Sequence, residues 1–153
     1  MPNQFQTLFA GSFDTFKVFD NLTLNDINTA PANAPKTIWQ ILNHLIKWQG
    51  YQLAQIKNID KAIILNEEET WINEQQPATQ DELDKALAVF KGQQQILAME
   101  LSLFDEKAPG ISQKLKIVQD LSIHLSFHVG EVVLMRRMAG TYPLPHQMRD
   151  FLS

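Results

Sequence analysis

The apolar residues of this chain recur at helical spacing, not strand spacing. Phe5, Leu8, Phe9, Ser12, Phe16 and Phe19 follow an i, i+3/i+4, i+7 rhythm, which predicts a first amphipathic helix over about residues 3–20 with its aromatic stripe turned to the core. Asn25 to Pro35 carries prolines at 31 and 35, where a helix cannot run through, and reads as a connector. Thr37-Ile38-Trp39-Gln40 places a threonine three residues before a glutamine, the capping-box pattern that opens a helix. A second helix is expected from about 37 to about 57. Its apolar positions (Ile38, Ile41, Leu42, Leu45, Ile46, Trp48, Tyr51, Leu53) cover more than one face, so it should be buried on two sides.

Residues 58–78 break the rhythm with Asn66, the run Glu67-Glu68-Glu69, Trp71 and Pro77. Neighbouring antiparallel helices need only about 2–8 connecting residues. The longer connection predicts a crossover that leaves helices two and three parallel. The acidic run reads as a solvated loop or as charge at the start of a helix, ahead of the alternative that it donates a metal ligand. Thr79-Gln80-Asp81-Glu82 is a second capping box, and Leu83, Ala86, Leu87, Phe90, Leu97 and Leu101 mark a third helix to about 103. Ala108-Pro109-Gly110 ends that region, and short irregular structure is expected between Ile111 and Leu115. A fourth helix follows from about 117 to 139, with Gly140 as its C-terminal cap and Pro143 and Pro145 beyond. Between Leu121 and Met138 it is apolar nearly all round, so it should be the most buried element. The tail from Thr141 to Ser153 is expected to be extended and loosely packed, with His146 at the surface. The fold class is therefore all-α, a four-helix bundle with a long connection between helices 2 and 3.

Composition narrows the function. A chain of 153 residues suits one domain over 1–153 with a substantial core. No stretch approaches the roughly 18 apolar residues of a membrane span, and the N-terminus lacks a basic region followed by an apolar one. A cytoplasmic, non-membrane protein is the expectation. Cysteine is absent, which removes disulfides, thiolate ligands and a cysteine nucleophile. Any thiol chemistry would need a thiol brought by a cosubstrate. A formal charge of −4 argues against nucleic acid as a partner. Lys114, Lys116, Arg136, Arg137 and Arg149 are only a thin basic scatter, read as helix surface and C-terminal charge.

The candidate chemistry lies in Ile123-His124-Leu125-Ser126-Phe127-His128-Val129-Gly130-Glu131. Residues i and i+4 lie roughly 6 Å apart on one helix stripe, so His124 and His128 can converge on one ion at about 2.0–2.1 Å. A lone histidine on an apolar face is usually a satisfied core residue. Two of them one turn apart in a buried helix are harder to satisfy that way, because each neutral ring brings a donor and an acceptor that must be met. Glu131 shares the stripe of His128 but stands about 10 Å along the axis from His124. It suits a role behind the ligands, orienting an imidazole or accepting a proton. The third ligand should come from a facing helix, and His44 is the one other histidine embedded in a helical pattern. A set of three nitrogens suits one divalent transition metal, zinc, nickel, iron or copper, and the sequence does not pick among them. It also leaves coordination positions open, as catalytic sites do. No His-Glu-x-x-His, no Glu-x-x-His pair and no glycine-rich phosphate loop occurs.

With these residues in view, the chain resembles the DinB-like (DinB/YfiT) family of metal-dependent four-helix-bundle proteins, which includes the bacillithiol and mycothiol transferases. The resemblance lies in Ile38 to Gln49 around His44, and in His124 to Arg137 with Gly140 and Pro143 afterwards. It implies a metal triad at His44, His124 and His128, the same three residues chosen from spacing. The chain departs from the family pattern at Glu131, where glutamine is usual, and at Phe127, where tyrosine is common. The resemblance further implies a divalent-metal enzyme of detoxification or stress response, transferring a low-molecular-weight thiol to an electrophile or performing metal-assisted hydrolysis. The competing expectations are a non-catalytic metal-binding stress or sensing protein, and a bundle whose histidines are structural. Gly130 is expected to let a neighbouring helix approach closely. A surplus of apolar residues on helices two and four suggests a homodimer.

Overall fold

The computed structural model describes residues 3–13, 16–29, 31–59 and 64–153, and every regular element among them is helical. The elements are α1 (Gln4–Leu8), α2 (Leu24–Asn28), α3 (Ile38–Ile56), α4 (Glu67–Thr70), α5 (Gln80–Ser102), α6 (Ile111–Met138) and α7 (Met148–Leu152), with a 3-10 turn at Pro145–Gln147. Three of these helices are long, and they carry the architecture.

The start of α3 is a full capping box: the Thr37 hydroxyl accepts from the Gln40 N–H at 3.2 Å, and the Gln40 Oε1 accepts from the Thr37 N–H at 3.1 Å. The start of α5 is half of one. Thr79 caps Glu82, while the Glu82 carboxylate reaches past Thr79 to accept from the Ala78 N–H at 2.6 Å. Gln93 on α5 donates to the Ile46 carbonyl of α3 at 2.9 Å, and further on Lys57 lies 3.6 Å from Glu100. The contacts rise together in number along both helices, so α3 and α5 run in the same direction, as a crossover through residues 58–79 requires. Against α6, α3 is antiparallel: its C-terminal Leu53 and Ile56 share a core cluster with Val118 and Leu121, and its N-terminal half shares one with Leu125, Val132 and Met135.

Several expectations are corrected. The first helix does not run from 3 to 20; it stops at Leu8, and left-handed backbone at Gly11, Lys17 and Asn21 turns the chain repeatedly. The aromatic spacing still sends Phe19 into the core, packed edge-on to Phe90, while Leu8 and Phe16 stay exposed. The connector after it contains α2, opened by a capping box between Thr23 and Asp26. No irregular stretch separates Gly110 from the fourth helix, because α6 begins at Ile111 directly after the left-handed Gly110. The tail is not extended: it forms the 3-10 turn and α7, and Tyr142 is buried with its hydroxyl donating to the Phe16 carbonyl. His146 is exposed, as expected. Residues 1, 2, 14, 15, 30 and 60–63, which the sequence reading gives to the N-terminus, the first helix and two connectors, lie outside the described residues.

The most buried helix is α3, not α6. Eleven of the 19 residues of α3 are buried, against seven of the 28 of α6. An apolar circumference does not by itself bury a helix; the number of neighbours does, and α3 lies between α5 and α6.

Arg136 is also not a surface residue. The residue is 4% exposed, and its guanidinium donates to the carbonyls of Val18 at 2.7 Å, Asp20 at 3.2 Å and Thr141 at 2.7 Å. One side chain thus fastens the N-terminal segment and the tail to α6. Burial lowers its pKa, opposed by the nearby Asp26, Tyr142 and Asp20. Replacing Arg136 by alanine leaves these carbonyls without a donor, and the expected loss is about 3 kcal/mol of unfolding free energy, with Arg136→Lys losing less. Urea denaturation midpoints of the two variants measure this.

Candidate metal centre

His44 lies two turns into α3, whose start is fixed by the capping box, and points from the most buried helix toward α6. His124 and His128 leave α6 one turn apart. The three imidazoles meet: their ring centroids are 5.0, 4.8 and 4.7 Å apart, and one ligand atom from each lies within 4.8 Å of the others. His44 is 1% exposed and His128 is 7% exposed, with His124 between buried and open. The sequence reading brought these three together, and the coordinates do the same.

The hydrogen bonds around the rings decide which nitrogens are free. Thr70 donates its hydroxyl hydrogen to the Glu67 carbonyl, so its oxygen can only accept from His44 Nδ1 at 2.7 Å. His44 therefore carries its proton on Nδ1 and presents a lone pair at Nε2. On α6, His128 Nδ1 lies 2.7 Å from Glu131 Oε2. The carboxylate accepts, so Nε2 of His128 is left available as well. His44 Nε2 and His124 Nε2 are 3.1 Å apart. Two nitrogens bound tetrahedrally at about 2.0–2.1 Å would stand about 3.3 Å apart, so the contact suits a shared cation as well as a shared proton. The donor set and its spacing fit a transition metal held by His44, His124 and His128.

The wall behind His44 comes from the crossover. Trp71 stacks on His44 with centroids 3.8 Å apart and planes inclined by 9°. Three contacts from α3 hold this segment in place: Gln40 Nε2 donates to the Ile72 carbonyl at 3.1 Å, Lys47 donates to the Glu69 carbonyl at 2.8 Å, and His44 bonds Thr70. Thr70 is wholly buried, while Glu67, Glu68 and Glu69 are exposed in the first turn of α4 and stay out of the histidine cluster. The sequence does not point to Thr70, and it marks Trp71 only as a break in the helical rhythm. Nothing local marks their roles, which arise only when a loop folds back over a helix some thirty residues earlier.

His124 and His128 line a cleft of about 560 Å3, with His44 buried behind them. Phe127, Leu134 and Met138 form an apolar wall, and Lys36, Glu67 and Glu131 supply its charges. The Lys36 ammonium sits 4.8 Å from the Trp71 ring centre.

Burial pushes His44 down to about 3, helped by the positive charge that His128, His124, Lys36 and Lys47 would bring; burial and then His128 push His124 down to about 4. The unfolded chain takes up these protons near pH 6.5. Between those values the unfolded state binds more protons than the folded one, so stability falls as pH falls. Metal-free protein should therefore show a declining denaturation midpoint from pH 7 to pH 5, and His44→Gln should flatten that decline. Thr70→Val removes the acceptor that fixes His44, and zinc affinity measured by competition with a chelator should drop about 10- to 100-fold, with Thr70→Ser close to the parent.

A family model described as the DinB superfamily matches residues 14–131, a span that contains all three histidines and ends on Glu131. No curated protein and no solved structure matches the chain.

Proposed function

We propose that this chain, which belongs to the DinB superfamily, is a divalent-metal-dependent enzyme that transfers a low-molecular-weight thiol to an electrophile, or hydrolyses one, in detoxification or stress response. The observation that carries this reading is the donor arrangement: three imidazoles within reach of one point, two of them with Nδ1 already engaged, and two of them, His124 and His128, lining the 560 Å3 cleft. His44, His124 and His128 would hold the ion, zinc or nickel. When bound, a divalent ion supplies Lewis acidity, which lowers the pKa of a thiol or water beside it.

The chain's own residues do the rest. Thr70 holds the Nδ1 proton of His44 in place, and Glu131 does the same for His128, so neither ring can present the wrong nitrogen. Trp71 covers the face of His44 and keeps water from it. Glu131 bonds His128 through Oε2 and also lines the cleft, where its carboxylate would accept a proton from the incoming nucleophile. Phe127, Leu134 and Met138 offer contact to an apolar part of the electrophile. With no cysteine in the sequence, the sulfur nucleophile would belong to a cosubstrate.

The rest of the reading is a single domain working in the cytoplasm as a homodimer, with small molecules as substrates and neither nucleic acid nor membrane as partner. No helix among the described residues is long and apolar enough to cross a membrane. For self-association the support is the outer face of α6, where Ile123, Phe127, Leu134 and Met138 are each 61–67% exposed.

A panel of thiols and electrophiles, run with zinc- and nickel-loaded protein beside His128→Ala, tests the chemistry. Turnover at least 100-fold above the variant is expected. Stoichiometric metal without turnover above that control would leave a metal-binding sensor, and protein that takes up no metal would leave histidines with a structural role.

A further inference from the structure

The expectation that Gly130 admits a neighbouring helix is not met within the protomer. A Cβ built on Gly130 meets nothing within 4 Å, and the residue is exposed. Glycine in a helix interior costs stability through backbone entropy, and among the described residues no close contact at its Cα offsets that cost.

The residues around it explain the choice if a second molecule is present. Ile123, Phe127, Leu134 and Met138 are exposed by 61%, 67%, 61% and 67%. With Gly130 they lie on one stripe, on the side of α6 opposite its buried Leu125, Val132 and Met135. The stripe is a mirror of itself about the midpoint between Gly130 and Glu131: Phe127 and Leu134 are equally far from it, and so are Ile123 and Met138. A two-fold axis at that point runs two copies of α6 antiparallel and sets each residue of a pair against the other, the condition for an isologous contact. The spacing 123, 127, 130, 134 alternates four and three, which is the seam of an antiparallel coiled coil. Gly130 sits at the crossing, where the two backbones come nearest.

We propose that the partner of this surface is a second copy of the same chain, docked antiparallel along α6 about a two-fold axis between Gly130 and Glu131, with Phe127 of each copy against Leu134 of the other. This rests on the self-association in the proposed reading and not on its chemistry. Phe127, Leu134 and Met138 also line the metal cleft, so the second copy supplies part of its wall. A two-fold of this kind brings like edges of the two helices together, and both clefts open on the same side of the dimer. The pairing also brings the two Glu131 residues near the axis, where each carboxylate is turned back to its own His128 at 2.7 Å.

Sedimentation velocity of the full-length, metal-loaded protein at tens of micromolar tests the register. The parent should sediment as a dimer, Phe127→Glu and Leu134→Lys should each sediment as monomers, and the chain carrying both should recover the dimer. A monomeric parent, a dimeric Phe127→Glu, or a folded double variant that stays monomeric would overturn the proposal. Should the charged variants fail to fold by circular dichroism, the absence of native cysteine permits a second measurement. Equal amounts of Phe127→Cys and Leu134→Cys should oxidise to a mixed disulfide-linked dimer when combined, and far less when alone; equal yields in all three samples would refute the register. Metal content is read on the same samples, so a monomer that binds zinc separates failure of this interface from failure of the metal site.

Discussion

The hydrogen bond from His44 to Thr70 is the contact on which the site depends. A buried imidazole can present either nitrogen, and a site built from three of them is useful only if each presents the chosen one. The Thr70 hydroxyl has already given its hydrogen to the Glu67 carbonyl, so its oxygen accepts no other arrangement of His44. Glu131 imposes the same choice on His128 because an ionised carboxylate can only accept. His124 is left to respond to the other two. Depressed basicity of His44 and His124 follows from the same packing, because a shell tight enough to fix the rings also excludes the water that would solvate their charge.

Much of this architecture was legible in the residues, and the failures have physical causes. The capping box at Thr37 and Gln40 placed the start of α3 to the residue, and the spacing of His124 and His128 placed both rings on one stripe. The long connection before Thr79 announced parallel helices. By contrast, Thr70 and Trp71 carry no local signal of their roles, since their partners come from a helix earlier in the chain. The first helix was over-extended because aromatic spacing persists through Gly11, Lys17 and Asn21, where the backbone turns left-handed. Periodicity reports that a residue seeks burial and does not report whether it finds it.

That last distinction applies most clearly to α6. An all-round apolar helix was read as the centre of the bundle, yet the centre is α3, and α6 turns a row of large side chains outward. Its inner face carries the core and its flank carries two histidines and a glutamate. A substitution on this helix can therefore act through packing, through the site or through the surface, according to which third of its circumference it occupies.

The parallel run of α3 and α5 bears on how the protein reaches its native state. His44 meets His124 across eighty residues, and the loop that buries Thr70 must close between them, so no early, local piece of the chain contains the site. Contacts this distant in sequence slow folding, because chain entropy is lost before they form. No local segment of the chain therefore contains the triad, and anything that binds to all three rings recognises the folded molecule. By mass action such a ligand withdraws native protein from the unfolding equilibrium, and in a chain without cysteine it would be the one cross-link tying α3 to α6.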